Sequence, residues 1–211
     1  MLIFYFLLAI LVLDSLKYTK NDFNDNYLSY EMTNTVKGIF ILLVFIKHVV
    51  PYVLNAGWVP TGFFGELFRF VNNNVGQWIV AMFLFYSGYG VMESIKRKGH
   101  GYVQGLPKKR ILQVLVNFDI AVFIYILVDL ILKKPLTIKQ CLLSLTGWES
   151  VGNSNWYIFI IMLMYLITFI SFYRSKADNY TRPLLLSLAL TFITSILIHH
   201  MKQMIKLMDL K

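Results

Sequence analysis

Residues 37 to 49, KGIFILLVFIKHV, set Lys37, Lys47 and His48 into a segment otherwise built from apolar side chains. Imidazole takes up and returns a proton near neutral pH, so a histidine here can act as a general base toward a hydroxyl. A lysine supplies a fixed positive charge. Lys37 and His48 are 11 residues apart. At about 100° per residue they fall within roughly 20° of one helical face, with an axial separation of roughly 16 Å. One face therefore carries a cation at one depth and an imidazole about three turns further along. Two blander readings stay open. Lys37 can extend its head to a membrane interface, and His48, followed by Val49, Val50 and Pro51, can be an interfacial histidine near a helix end. Lys47 points about 100° away from His48 and is expected to reach outward to lipid headgroups.

Other polar groups offer less. Asp119 and Asp129 lie in NFDIAVFIYILVDL, with Asn117 close by. Asp129 is near enough to the outer end to reach water. Asp119 is deeper and is expected to hydrogen-bond a neighbouring helix or Lys47. Nothing in the sequence fixes the separation of these two acids, so paired-carboxylate catalysis has no support. His199 and His200 point about 100° apart on a helix, chelate poorly together, and read as interfacial. The single cysteine, Cys141, excludes an internal disulfide framework and has no metal-ligand spacing with any histidine, so no metal is expected.

The elements that must position these residues follow from composition. Of 211 residues, 57% are hydrophobic and only 15% charged, which specifies an integral membrane protein. The apolar residues come in long blocks, at about 36–54, 75–94, 111–132, 156–173 and 183–199, each near the ~20 residues a bilayer core requires. Long blocks favour spanning helices over a barrel of alternating strands. A sixth, shorter block, MLIFYFLLAILVL, has no basic stretch before it and no small-residue cleavage pattern at Asp14, Ser15 and Leu16, so it reads as a retained N-terminal helix. The fold expected is all-α: a polytopic membrane protein of about six transmembrane helices, with residues 1–211 forming one domain.

Basic residues orient it. Residues 95–110 carry Lys96, Arg97, Lys98, Lys108, Lys109 and Arg110 with no acid, which predicts a cytoplasmic loop. By alternation, residues 14–37, with Lys17, Lys20 and Lys37, and residues 174–182, with Arg174, Lys176 and Arg182, fall on the same side. Arg69, Lys133, Lys134 and Lys139 fall outside, in loops predicted at 55–75 and 134–155. The tail residues Lys202, Lys206 and Lys211 go against this bias if the last block spans fully. The net charge of +9 is thus explained by topology, and nucleic acid is not expected as a partner.

The segment KGIFILLVFIKH, with a basic residue, a glycine, an aliphatic run and a histidine, resembles the opening motif of the acyltransferase family 3 membrane proteins. Three further segments match in order. AMFLFYSGYGVMES resembles the family's aromatic-rich Ser-Gly-Phe/Tyr helix, carried here by Ser87, Gly88 and Tyr89. LPKKRILQVLVNF resembles the basic segment that opens the next span, with Lys109 and Arg110 matching its cluster. NSNWYIFIIMLMYLITFISF is similar to a later Trp-led helix, with Trp156, Tyr157 and Tyr165 in register.

The resemblance implies an inner or plasma membrane enzyme that moves an acyl group, commonly acetyl, from cytoplasmic acyl-CoA to a hydroxyl of a cell-surface or exported carbohydrate. It implies His48 as the base or its positioner, and Lys37 as the group that orients the donor or stabilises charge. Lys109 and Arg110 would hold the phosphates of coenzyme A. Ser87 and Gly88 would permit close helix approach, with Tyr89 and Trp156 in the pocket or the helix packing. The bland alternatives are small-residue packing, positive-inside charge and an aromatic belt anchor. Two departures matter. Gln113 stands where the family often has a second basic residue three positions after the first. The family also has about ten spans, so the resemblance covers its N-terminal half and the chain reads as truncated, its partner a second copy or a missing C-terminal half. The competing function is a non-catalytic polytopic protein, either a transporter fragment or a partner subunit, whose intramembrane charges line a path or pair with another chain.

Overall fold

The computed structural model describes residues 26–175 and 180–208, together with positions 3, 6, 7, 9, 10 and 13, and side chains through His199. Asp14, Ser15, Leu16, Lys17, Lys20, Lys176 and Lys211, and the side chains of His200, Lys202 and Lys206, lie outside the described residues. The elements are α1 (Tyr30–Asn55), α2 (Gly62–Lys98), α3 (His100–Leu106), a π-helical turn (Pro107–Leu112), α4 (Gln113–Ile131), α5 (Ile138–Ser144), α6 (Trp156–Phe172) and α7 (Thr181–Met208). No strand occurs among the described residues. Four helical stretches there are long and apolar enough to cross a bilayer: Tyr30–Asn55, Gly62–Lys98, His100–Ile131 and Thr181–His199. α6 is a fifth, shorter apolar helix of 17 residues. All six described positions of the N-terminal block are helical. The chain falls into two compact units, residues 1–89 and 90–211, with the boundary inside α2.

In the first unit, α1 starts where the Ser29 side chain accepts from the Met32 N–H at 3.3 Å and Glu31 sits favourably in the first turn. It stops in a Schellman arrangement. Gly57, at φ 94°, donates to Leu54 O at 3.0 Å, and Trp58 donates to Val53 O at 3.3 Å. α2 runs antiparallel beside it. Ile46 and Val50 of α1 pack with Phe68, Val75 and Ile79 of α2. Further along, the rings of Phe40 and Phe83 meet edge to face at 6.5 Å.

The predicted loop at 55–75 is corrected to residues 56–61, because α2 begins at Gly62. The Asn72–Asn74 run has poor helix propensity, yet Phe68, Val71, Val75 and Ile79 recur at helical spacing and bury against α1, so packing overrides propensity. The short loop is strapped down. Arg69 donates from Nη2 to Pro60 O at 2.8 Å and from Nη1 to Glu66 at 2.7 Å. A Cβ on Gly65 would lie 2.6 Å from the Pro60 carbonyl carbon. Gly65→Ala is therefore expected to push the 56–61 loop off α2, costing about 1–3 kcal/mol in the manner of an overpacked site. Faster protease cleavage in that loop is the measurement that checks it.

In the second unit, the predicted basic loop at 95–110 is also corrected. It is helical apart from Gly99, whose φ of 59° makes the break between α2 and α3. From His100 the chain continues without a loop through the π turn into α4, so the basic residues ride on a helix. α6 packs against α3, the π turn, α4 and α7. Beyond α4, a short helix and an ordered loop fold back along it, where Val151 joins Phe118 and Val122, well inside the helix, in a small core. The Asn155 side chain holds that loop by donating to Gly147 O at 2.9 Å and Glu149 O at 2.6 Å. Outward-facing Ile120, Phe123, Ile124, Leu188, Phe192 and Ile193 leave α4 and α7 greasy on the surface, as a bilayer requires.

Candidate active site

On α1, Lys37 and His48 lie within one unbroken helix. Lys37 is half-buried and holds its ammonium over the ring of Tyr86 at 5.6 Å from the centroid. The charge is turned onto an aromatic face of α2, an attraction worth ~0.5–2 kcal/mol. His48 is exposed. Its neighbours Ile46 and Val50 are buried toward α2, which leaves the imidazole on an open flank of the helix pair.

Lys47 differs from expectation. Rather than reaching outward, it is half-buried and its Nζ donates to the backbone carbonyl of Asn72 on α2. The apolar run hid this because Lys47 projects on the same side as Ile46 and Val50, and the acceptor is main chain. The available signal was Gly76, which lies beside Lys47 Cε.

Ser87 and Tyr89 are half-buried, and the Tyr89 ring stacks on Phe85 at 6.5 Å. Among the described residues, a Cβ placed on Gly88 would meet nothing within 4 Å.

In the second unit the π turn separates Lys109 from Arg110. Lys109 is exposed, and its chain runs along Gly105 with Cδ 3.7 Å from the position of a Cβ. Arg110 is half-buried and turned inward, where Nε donates to the Tyr102 hydroxyl at 3.2 Å and Tyr165 of α6 contacts the same guanidinium. Sequence reasoning missed Tyr102. Its offset of eight residues from Arg110 falls about 80° past two turns of a regular α-helix, and the wider π turn between them reduces that angle. The wide π turn, of a kind frequent at functional sites, begins at Pro107. Trp156 opens α6 half exposed, edge-on to Tyr157 at 6.4 Å.

The two intramembrane acids part ways. Asp129, expected to reach water, is instead buried and paired with Lys134 Nζ at 2.7 Å. The chain turns back just past α4, with Lys133 at φ 54°, and so delivers that lysine. Asp119 has one carboxyl oxygen buried without a hydrogen-bond partner among the described residues.

A comparison with known protein families matches residues 33–207 to an acyltransferase domain. The chain belongs to acyltransferase family 3. No curated protein and no solved structure matches it. The matched range takes in all four segments that carry the resemblance, from the Lys37–His48 helix to the Trp156 helix. Acyl transfer is therefore its class of chemistry. The family match and the apolar helices together make it a multi-pass membrane protein.

Proposed function

We propose that this chain is a membrane O-acyltransferase that moves an acyl group, acetyl in the simplest case, from cytoplasmic acyl-CoA to a hydroxyl of a cell-surface or exported carbohydrate, in the plasma or inner membrane. The observation that carries the proposal is α1 itself. It holds a cation fixed over Tyr86 and an exposed imidazole roughly 16 Å further along the same helix.

In the reaction, His48 takes the proton from the acceptor hydroxyl as its oxygen attacks the thioester carbonyl carbon. The carbon–sulfur bond breaks, and the proton passes from the imidazolium to the departing coenzyme A sulfur. Lys37 supports the negative charge of the donor or of the developing oxyanion. Arg110, held by two tyrosines, binds coenzyme A phosphate, with Lys109 adding long-range attraction. Tyr89 contributes aromatic surface to the pocket or the helix packing of the first unit, and Trp156 to that of the second.

Inverted membrane vesicles carrying the chain, supplied with labelled acetyl-CoA, should release coenzyme A and incorporate label into a hydroxyl-bearing glycan fraction. Vesicles that show neither above the level of vesicles lacking the chain would overturn the proposal.

A further inference from the structure

The residue beside the proposed base makes a polar contact between α1 and α2. Lys47 Nζ donates to the carbonyl of Asn72, a group inside α2. A main-chain carbonyl within a helix already accepts from the amide four residues on, but it has a second lone pair. That residue is Gly76, and a Cβ there would lie 3.5 Å from Lys47 Cε. A Cβ at that distance is in ordinary contact, so the lysine chain lies close along this narrow flank of α2, where a longer side chain would displace it. Before and after Lys47, Ile46 and Val50 bury against Phe68, Val75 and Ile79.

These contacts differ in how much they fix. Apolar side chains find comparable contacts in lipid tails, so they specify the roll of one spanning helix on another only weakly. An ammonium has no acceptor in hydrocarbon, so giving up Asn72 is costly. Lys47 and His48 project about 100° apart, so holding the one against α2 holds the other on the open flank.

We propose that Lys47 is a positioning residue. Its bond to the Asn72 carbonyl, admitted by Gly76, fixes the roll of α1 and keeps His48 facing the side from which substrate arrives. The functional half of this rests on the proposed role of His48 as base. The geometric half does not. Proton transfer demands placement within hydrogen-bond reach, so a modest roll of α1 lowers turnover without weakening donor binding.

The experiment uses the full chain in open membrane fragments, with Cys141→Ser and His48→Cys, and follows the rate at which the introduced thiol reacts with a water-soluble maleimide. Lys47→Met and Gly76→Leu, added separately, are each expected to change that rate about fivefold or more, and together no further than either alone, as for two residues of one contact. Lys47→Arg, which retains a donor, should stay near the parent. With His48 intact, Lys47→Met should lower kcat for acetyl transfer about tenfold and leave KM for acetyl-CoA unchanged. Equal labelling rates in all variants, or no labelling in the parent, would overturn the positioning role. Labelling that responds as expected, beside full activity in His48→Ala, would leave the geometry standing and sink the role of His48 as base.

Discussion

His48→Ala is expected to abolish measurable acetyl transfer in vesicles while the protein inserts and accumulates as the parent does. The two halves of that expectation have separate causes. Among the described residues His48 is exposed and belongs to no buried cluster, so its truncation should open no cavity there; surface changes of that kind alter stability by about 0.5 kcal/mol or less. Loss of a positioned general base costs about 10²–10⁴-fold in rate. His48→Gln separates proton transfer from hydrogen bonding, because its carboxamide keeps a donor and an acceptor but cannot take a proton at neutral pH. It should be as inactive as His48→Ala. Recovery of more than about a tenth of parent activity in His48→Gln would reassign the imidazole to hydrogen bonding. Parent-level activity in both variants would remove His48 from the reaction.

The parts of this molecule that were legible in the sequence are those in which one segment decides its own structure. α1 is an example. Its apolar run, its polar start at Ser29 and Glu31 and the Lys37 to His48 spacing all act within one helix, and the helical period reads that helix from the sequence without knowledge of any partner. The second helix was misjudged because the decisive contact is remote. Asn72, Asn73 and Asn74 argue for a loop locally, and only the burial of Val71 and Val75 against α1 keeps them helical. The basic stretch at 95–110 was misjudged for another reason. Positive charge records the side of the membrane on which a segment lies, not whether it is a loop, and here the charges ride on α2 and the π turn.

The polar partners show the same division. Asp129 with Lys134 could not be paired from the sequence, because the pairing depends on a left-handed residue, Lys133, that returns the chain after α4. Lys47 was misjudged because its acceptor is a main-chain carbonyl, which no side-chain pattern advertises. The family, in contrast, was legible, since the order of four segments survives errors in where each helix starts. The matched range of 33–207 contains every one of them.

The second large effect is expected at Arg110. The sequence presents Lys109 and Arg110 as equivalent members of a basic cluster, but the π turn gives them different surroundings. Arg110 is half-buried, with Nε bonded to Tyr102 at 3.2 Å and Tyr165 against it, so its fork is held in one orientation with donors remaining for an anion. Lys109 is exposed and its charge is free to move. A hydrogen bond to a charged group contributes about 1.5–3 kcal/mol, and each ~1.4 kcal/mol is a factor of ten. Arg110→Ala should accordingly raise KM for acetyl-CoA by about 10–100-fold. Lys109→Ala should raise it by only about twofold at low salt, and the increase should vanish as salt screens the exposed charge. Arg110→Lys keeps the charge without the planar fork and should fall between the two. Tyr102→Phe tests orientation alone, since it leaves the guanidinium in place and removes one of its two tyrosine acceptors; a KM increase smaller than that of Arg110→Ala, with kcat unchanged, is the expected result. Initial rates in inverted vesicles across a range of acetyl-CoA concentrations decide among these outcomes. A KM in Arg110→Ala equal to that of the parent would leave this guanidinium a purely structural tie between α3, the π turn and α6.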